Sequence, residues 1–233
     1  MRVCAVLGDV VGSRARPNRR EVHDRLTQEL SAVNAIGSPV RPLRVTVGDE
    51  FQGSWASLPE ALAAVLRLRL SLLPDLDTRY GLGWGEARLL DEERLIEDGP
   101  AWWAARRAIV HAKGKAGRKR SASVRVTLAP WDPSESPDSR YEGPDGLDLA
   151  EVMNAGFAAV DYLVSTLDAV SLRLLRGALD GRTQAEMAGE ARISQSAVSQ
   201  RFQRDGLWTL FQVHQDLAKA TGAARATSAT GPA

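Results

Sequence analysis

One cysteine, Cys4, stands among 233 residues. No internal disulfide can form, and a thiol inside an apolar run is expected to be buried in a reducing compartment, the cytoplasm. No apolar run approaches the roughly 20 residues of a membrane span, and Met1–Leu7 is too short for a signal peptide, so no membrane partner is expected. Excess charge is missing as well. Thirty Lys and Arg against 29 Asp and Glu leave a formal net charge of +1, so any DNA contact has to come from a local patch. Histidine is scarce: His23 and His214 fall in helical patterns without a partner at metal-ligand spacing. What remains, 44% hydrophobic and 25% charged residues, suits a globular protein of one large domain or two small ones.

Periodicity predicts a strand over 2–7, stopped by Gly8-Asp9, then a helix from an Asn18 cap to about residue 35 with Leu26, Leu30 and Val33 on its apolar face. A strand over 43–47, an acidic tip and a short strand over 51–55 follow. Ser57 and Pro59 open a second helix that Pro74 ends. A strand over 78–86 carries Gly81, Gly83 and Gly85 on one face, room for a backbone or a ligand to come close. A hairpin through Asp91-Glu92-Glu93, a helix over 101–111, a basic loop over 113–123 and a strand over 124–128 complete the first part. This order predicts an antiparallel or mixed sheet covered by helices on one face. Pro, Ser, Gly and Asp concentrate in 130–147, a linker signal. From Leu149 the pattern is helical alone, and the small, polar stretch 221–233 is expected to be a disordered tail.

The segment TQAEMAGEARISQSAVSQRF, 183–202, has helix-turn-helix spacing. Thr183 and Ser194 can cap two short helices, Met187, Ala188 and Ala191 face inward, Ile193 fills the turn, and Val198 with Phe202 packs the second helix down. Its outer face then offers Gln195, Ser196, Ser199, Gln200 and Arg201 to base edges, with Arg201 and Arg204 suited to phosphates. Arg192 occupies the turn position where glycine is usual, which predicts a left-handed residue at some cost. A plain helical hairpin is the alternative.

Two acidic residues each follow a glycine at the end of an apolar strand: Leu7-Gly8-Asp9 and Val47-Gly48-Asp49-Glu50. Either tip alone could simply be solvated. If strands 2–7 and 43–47 are neighbours, Asp9 and Asp49 emerge side by side as oxygen ligands for Mg²⁺, which completes its shell with water and substrate phosphate. The Gly12-Ser13-Arg14 loop can turn its amides to a phosphate. Glu86 is a weaker ligand candidate, and the basic run from His111 to Arg120 either clamps phosphates or is a solvated loop.

Taken together, GDVVGSR (8–14), VTVGDEFQG (45–53), RYGLGWGEA (79–87) and EDGPAWWAARRA (97–108) resemble the SatD family over about residues 1–128. They are also similar in order to class III nucleotide cyclases and GGDEF-type diguanylate cyclases. The cyclase resemblance implies that Asp9 and Asp49 bind two Mg²⁺ or Mn²⁺ ions with the Val10 carbonyl as an added ligand. It also implies that the 10–13 loop holds a triphosphate, that Glu50 matches the second acidic residue of the GGDEF motif, and that Arg106 or Arg107 stabilises a transition state. Two departures stand out: Trp102 or Trp103 occupies the place of the cyclase Asn, and Val45 that of the base-selecting Lys.

The expected fold class is α+β (α/β): a ferredoxin-like, palm-type cyclase-like sheet with helices over 1–129, a linker over 130–147, an all-α (winged) helix-turn-helix domain over 148–220 and the tail. The expected function is that of a cytoplasmic regulator in which a Mg²⁺-dependent nucleotide- or polyphosphate-binding palm-like domain is coupled to a DNA-binding helix-turn-helix. The expected partners are a nucleotide or other phosphate ligand, DNA, and a second copy in a homodimer. The alternatives are an active nucleotidyl cyclase or phosphohydrolase, and a DNA-binding protein whose N-terminal half is a dimerisation scaffold.

Overall fold

The structure, a computed structural model, describes residues 1–91, 96–130 and 149–229. Its centre is β1 (Arg2–Val10), flanked on one side by β3 (Phe51–Trp55) and then β2 (Arg41–Val45), and on the other by β4 (Thr78–Glu86) and then β7 (Val126–Pro130). All pairings are antiparallel except β4 with β7, so the sheet is mixed. A separate ribbon pairs β5 (Arg88–Asp91) with β6 (Ile96–Asp98); residues 92 and 93 of the expected hairpin lie outside the described residues.

Helices cover both faces of the sheet, not one. Successive side chains of β1 point to opposite sides. Cys4, Val6 and Val10 join the core beneath α1 (Arg19–Ile36) and α2 (Leu58–Leu72). Val3, Ala5 and Leu7 pack instead against Ala101, Ala105 and Ile109 of α3 (Pro100–Ala116). A central strand buried on both faces reads as a continuous apolar run, which is why its sequence shows no alternation. The strand continues past residue 7 because Val10 is buried and pairs with Thr78.

The expected helix starts hold: Asn18 accepts from the Glu21 amide and Ser57 from the Glu60 amide. The space beside the glycines of β4 is filled by the backbone of α3. A Cβ on Gly83 would lie 2.1 Å from the Ala101 carbonyl oxygen, and one on Gly81 would lie 2.3 Å from the Ile109 nitrogen. Small residues on α3 (Ala101, Ala104, Ala105, Ala108) match them, and the helix lies directly on the strand.

After the residues that hold the expected linker, most of which are outside the described set, come α4 (Leu149–Ser165), α5 (Ala169–Leu179), α6 (Gln184–Ala191), α7 (Gln195–Arg204) and α8 (Leu207–Ala229). No strand follows β7 among the described residues, so the wing has no counterpart there. Helix α8 continues through Ala229, where a disordered tail from 221 was expected.

These helices are bolted to the sheet. Helix α4 lies along the outer edge of β7, and two of its side chains, seven residues apart, serve that edge as a neighbouring strand would. Asn154 exchanges two bonds with the Leu128 backbone (2.8 and 3.0 Å), while Asp161 accepts from the amides of Arg125 (2.6 Å) and Val126 (2.9 Å). Asp161 also pairs with Arg69 of α2, both groups buried. Burial pushes the Asp161 carboxyl above its ordinary value, while Arg69 and the two amides pull against that rise. Leu66 and Leu70 of α2 extend into a second apolar core built from α4–α8. No single helix among the described residues is long and apolar enough to cross a membrane.

Candidate functional site

Asp9 sits within β1, not at its tip. The β1–β4 register places it opposite Arg79, and the guanidinium grips both carboxylate oxygens, at 2.9 and 3.1 Å. With side-chain exposures of 13% for Arg79 and 19% for Asp9, this is a fork-to-fork pair with restricted access to water, the stronger kind of ion pair.

Strands β1 and β2 are not neighbours, because β3 runs between them. Asp49 reaches β1 by another route. The turn between β2 and β3 is closed by Thr46 N–H to the Glu50 carbonyl (2.8 Å) and Glu50 N–H to the Val47 carbonyl (3.0 Å), with Gly48 at φ 65°. It folds over the sheet end, and Asp49 Oδ2 accepts from the Val10 amide at 3.2 Å. Asp49 thereby reaches the end of β1 that carries Asp9, around β3 and not through adjacent strands, and its contact there is with the Val10 amide. Glu50 and Arg106 stand 3.6 Å apart, both half-exposed.

The same end carries Gly12, left-handed at φ 70°, and a 3-10 turn over Ser13–Ala15 in which Ser13 is buried and Arg14 exposed. The Val11 amide is spent on the Asp77 carbonyl (2.8 Å), and the Ala15 and Arg16 amides bond back to Gly12 and Ser13.

Asp9, Asp49 and the Val10 carbonyl are hard oxygen donors of the kind Mg²⁺ takes. Among the described residues no three of His, Cys, Asp and Glu come together at metal-binding distance. Asp9, Asp49 and the Val10 carbonyl are the set that could hold such an ion, which would have to displace Arg79 from Asp9. Glu86 cannot join it: it pairs with Arg2 at the opposite end of β1, seven residues and about 23 Å along the strand.

On α3, Trp102 is buried against the sheet with its Nε1 unpartnered. Trp103 is half-exposed and donates to Asp98 (2.7 Å). Arg106 and Arg107 both lie on the exposed side of the helix. The basic segment after His111 is not a loop. The helix runs on through Lys113 and Lys115, and a 3-10 turn over Lys119–Ser121 follows. The Ser121 hydroxyl ties that turn back to the Lys115 carbonyl (2.7 Å). Burial lowers the His111 pKa, with Lys115 and Arg118 adding to the effect.

In the helical half, Thr183 and Glu186 form a reciprocal cap on α6, Ser194 caps α7, and Arg192 is left-handed at φ 55°. Met187, Ala188, Val198 and Phe202 are buried as expected. Gln195, Ser196, Gln200 and Arg204 are exposed, and Ser199 is half-buried. The two arginines are not free for phosphates. Arg201 donates to both oxygens of Asp168 (2.9 and 2.8 Å) and to the Ser171 hydroxyl (2.8 Å), and Arg204 forks onto Asp205 (2.6 and 3.0 Å). The Arg201 bond, then the Ser171 amide, hold Asp168 down at about 2. This acidic pair beneath α7 became visible only when the chain brought residue 168 beside residue 201. Arg79 and Asp161 were likewise missed in the sequence; an arginine seven positions before Glu86 in a glycine-rich strand was the only local signal for the first.

A family model described as the SatD family matches residues 3–129. Among solved structures, a bacterial light-regulated adenylyl cyclase is similar at 13% identity and a TM-score of 0.38, the match covering 49% of this chain and 40% of that one. The chain thus spans well under half the length of that protein. No curated protein matches it.

Proposed function

The chain belongs to the SatD family, and from that premise we propose that it is a regulator that binds a phosphate-bearing ligand, a nucleotide or polyphosphate, at the Asp9–Asp49 end of its sheet. The observation that carries this reading is that Asp49, from the turn between β2 and β3, and Arg79, from β4, come to the contiguous segment that holds Asp9 and the Gly12–Ser13 turn. A scaffold gains nothing from gathering carboxylates there, since each has to be neutralised by a partner. One Mg²⁺ or Mn²⁺ held by Asp9 and Asp49 would supply positive charge for the phosphates. Arg79, released from Asp9, and Arg14, exposed on the adjoining turn, would supply more.

Helices α6 and α7 form the DNA-reading unit in this proposal, a helix-turn-helix with Gln195, Ser196 and Gln200 toward base edges. The protein acts as a homodimer, as such units commonly do. Asp161 supports a link between the halves, because one carboxylate holds β7, α2 and α4 together. A shift at the sheet end can thereby reach the helices.

Calorimetry with nucleoside triphosphates and inorganic polyphosphate, each with and without Mg²⁺, tests the ligand half. Saturable heat that needs Mg²⁺ and disappears in Asp49→Asn is expected. Silence from every combination, or an Asp49→Asn variant that binds as wild type does, refutes the reading.

A further inference from the structure

Seven of the chain's 30 Lys and Arg fall within residues 99–123 (Arg106, Arg107, Lys113, Lys115, Arg118, Lys119 and Arg120), and none of its 29 Asp and Glu does. The remainder carries 23 cations against 29 anions, so this near-neutral protein is net negative outside that segment, although a second acid-free run, 10–20, carries Arg14, Arg16, Arg19 and Arg20. That segment has a defined shape. The alanine face of α3 is pressed to β4, which turns the charged residues outward, and the following 3-10 turn is tied back to the helix by Ser121. Arg106 is partly answered by Glu50. The side chains of Lys113, Lys115, Arg118, Lys119 and Arg120 make no hydrogen bond or ion pair among the described residues.

We infer that the outer face of α3 and its following turn form a binding surface for the phosphate backbone of duplex DNA. The cations run from Arg106 along the helix to Arg120 in the turn after it, with roughly 15 Å of helix at about 1.5 Å per residue, so the face suits a polymer of phosphates better than a single small anion. The α7 face lacks what non-specific affinity requires, because Arg201 and Arg204 are already held by Asp168 and Asp205. Phosphate contacts supply most sequence-independent affinity and orient a protein on DNA, while base contacts supply selectivity. The inference goes beyond the proposed function: α3 packs on the Val3, Ala5 and Leu7 face of the sheet, whereas α7 belongs to the core that joins α2 on the other face, so backbone binding by α3 does not depend on base reading by α7.

Fluorescence anisotropy of the full chain with a random-sequence duplex, from about 50 to 200 mM salt, is the test. Five phosphate contacts give a log–log salt slope of about −4.5. Neutralising two of them in Lys119→Gln/Arg120→Gln should flatten the slope by about 2 and weaken low-salt binding at least tenfold on the order of the counterion effect. Circular dichroism checks that the variant folds, and Arg20→Gln, an exposed arginine elsewhere, serves as control. Wild-type slope and affinity in the double variant overturn the inference, as do absence of duplex binding and a clear preference for single-stranded RNA. Gln195→Ala separates the two readings. Loss of binding there with none in Lys119→Gln/Arg120→Gln leaves α7 standing and α3 refuted; the converse leaves α3 standing alone.

Discussion

Replacing Asp161 with alanine probes the joint that holds the sheet to the helices. The side chains of Arg69 and Asp161 are 3% and 1% exposed, so the variant strands a guanidinium away from water. Removing one partner of a buried pair costs about 3–5 kcal/mol. The amides of Arg125 and Val126, at the open edge of the sheet, lose their acceptor too, each worth about 1–3 kcal/mol when left unsatisfied. These penalties overlap, because water entering the vacated space relieves both. The expected loss is about 4–5 kcal/mol, a large share of the roughly 5–15 kcal/mol that holds a domain together. Asp161→Asn keeps an acceptor oxygen for the amides and should lose about 3 kcal/mol through the uncompensated charge alone. Adding Arg69→Met to it removes that charge and should restore most of the loss, to within about 1–2 kcal/mol of wild type. Urea unfolding followed by far-ultraviolet circular dichroism gives the energies, and hydrogen exchange at the Arg125 and Val126 amides locates them. A cost below about 1 kcal/mol for Asp161→Ala, or a double variant no better than Asp161→Asn, would refute the reasoning.

Three further outcomes follow from the geometry. Gly83→Ala drives a methyl to 2.1 Å from the Ala101 carbonyl; α3 has to lift, with a loss of about 3 kcal/mol, the upper end of overpacking costs, seen as a lower melting temperature. Arg79→Gln leaves Asp9 without its cation and should cost about 1–2 kcal/mol, between exposed and buried pairs. Mg²⁺ should then raise its melting temperature more than that of wild type; equal shifts in both proteins would show that Arg79 does not compete for Asp9. Asp168, held at about 2 against an ordinary 3.8, contributes stability that is present above pH 4 and is lost as pH falls toward 2. Solvent screening keeps this below about 1 kcal/mol, read as a steeper acid decline of the wild-type melting temperature than of Asp168→Asn.

Much of the fold was legible because it is local. Asn18, Ser57, Thr183 and Ser194 cap helices where their chemistry demands, and Thr78–Glu86 is a strand over the span its pattern indicates. The family resemblance also lay in contiguous blocks. What could not be read was pairing. Nothing in TVGDEFQG says that β3 runs between β1 and β2, so Asp49 was expected beside Asp9 through adjacent strands and arrives by a folded turn. The basic segment after His111 looked like a loop because glycines punctuate it, yet packing on β4 carries the helix through Lys115. The arginines of α7 looked free because Asp168 lies 33 residues before Arg201.

By itself, then, the sequence determined the elements, their caps, the family and which residues could carry charge chemistry, since each depends on neighbours within a few positions. Only the tertiary structure decided which charges face each other. It set Arg79 against Asp9, Arg69 against Asp161, and Asp168 against Arg201, and it left α3's cations facing outward. Those assignments follow from strand order and register, which arise from contacts between distant segments and leave no local periodicity to read.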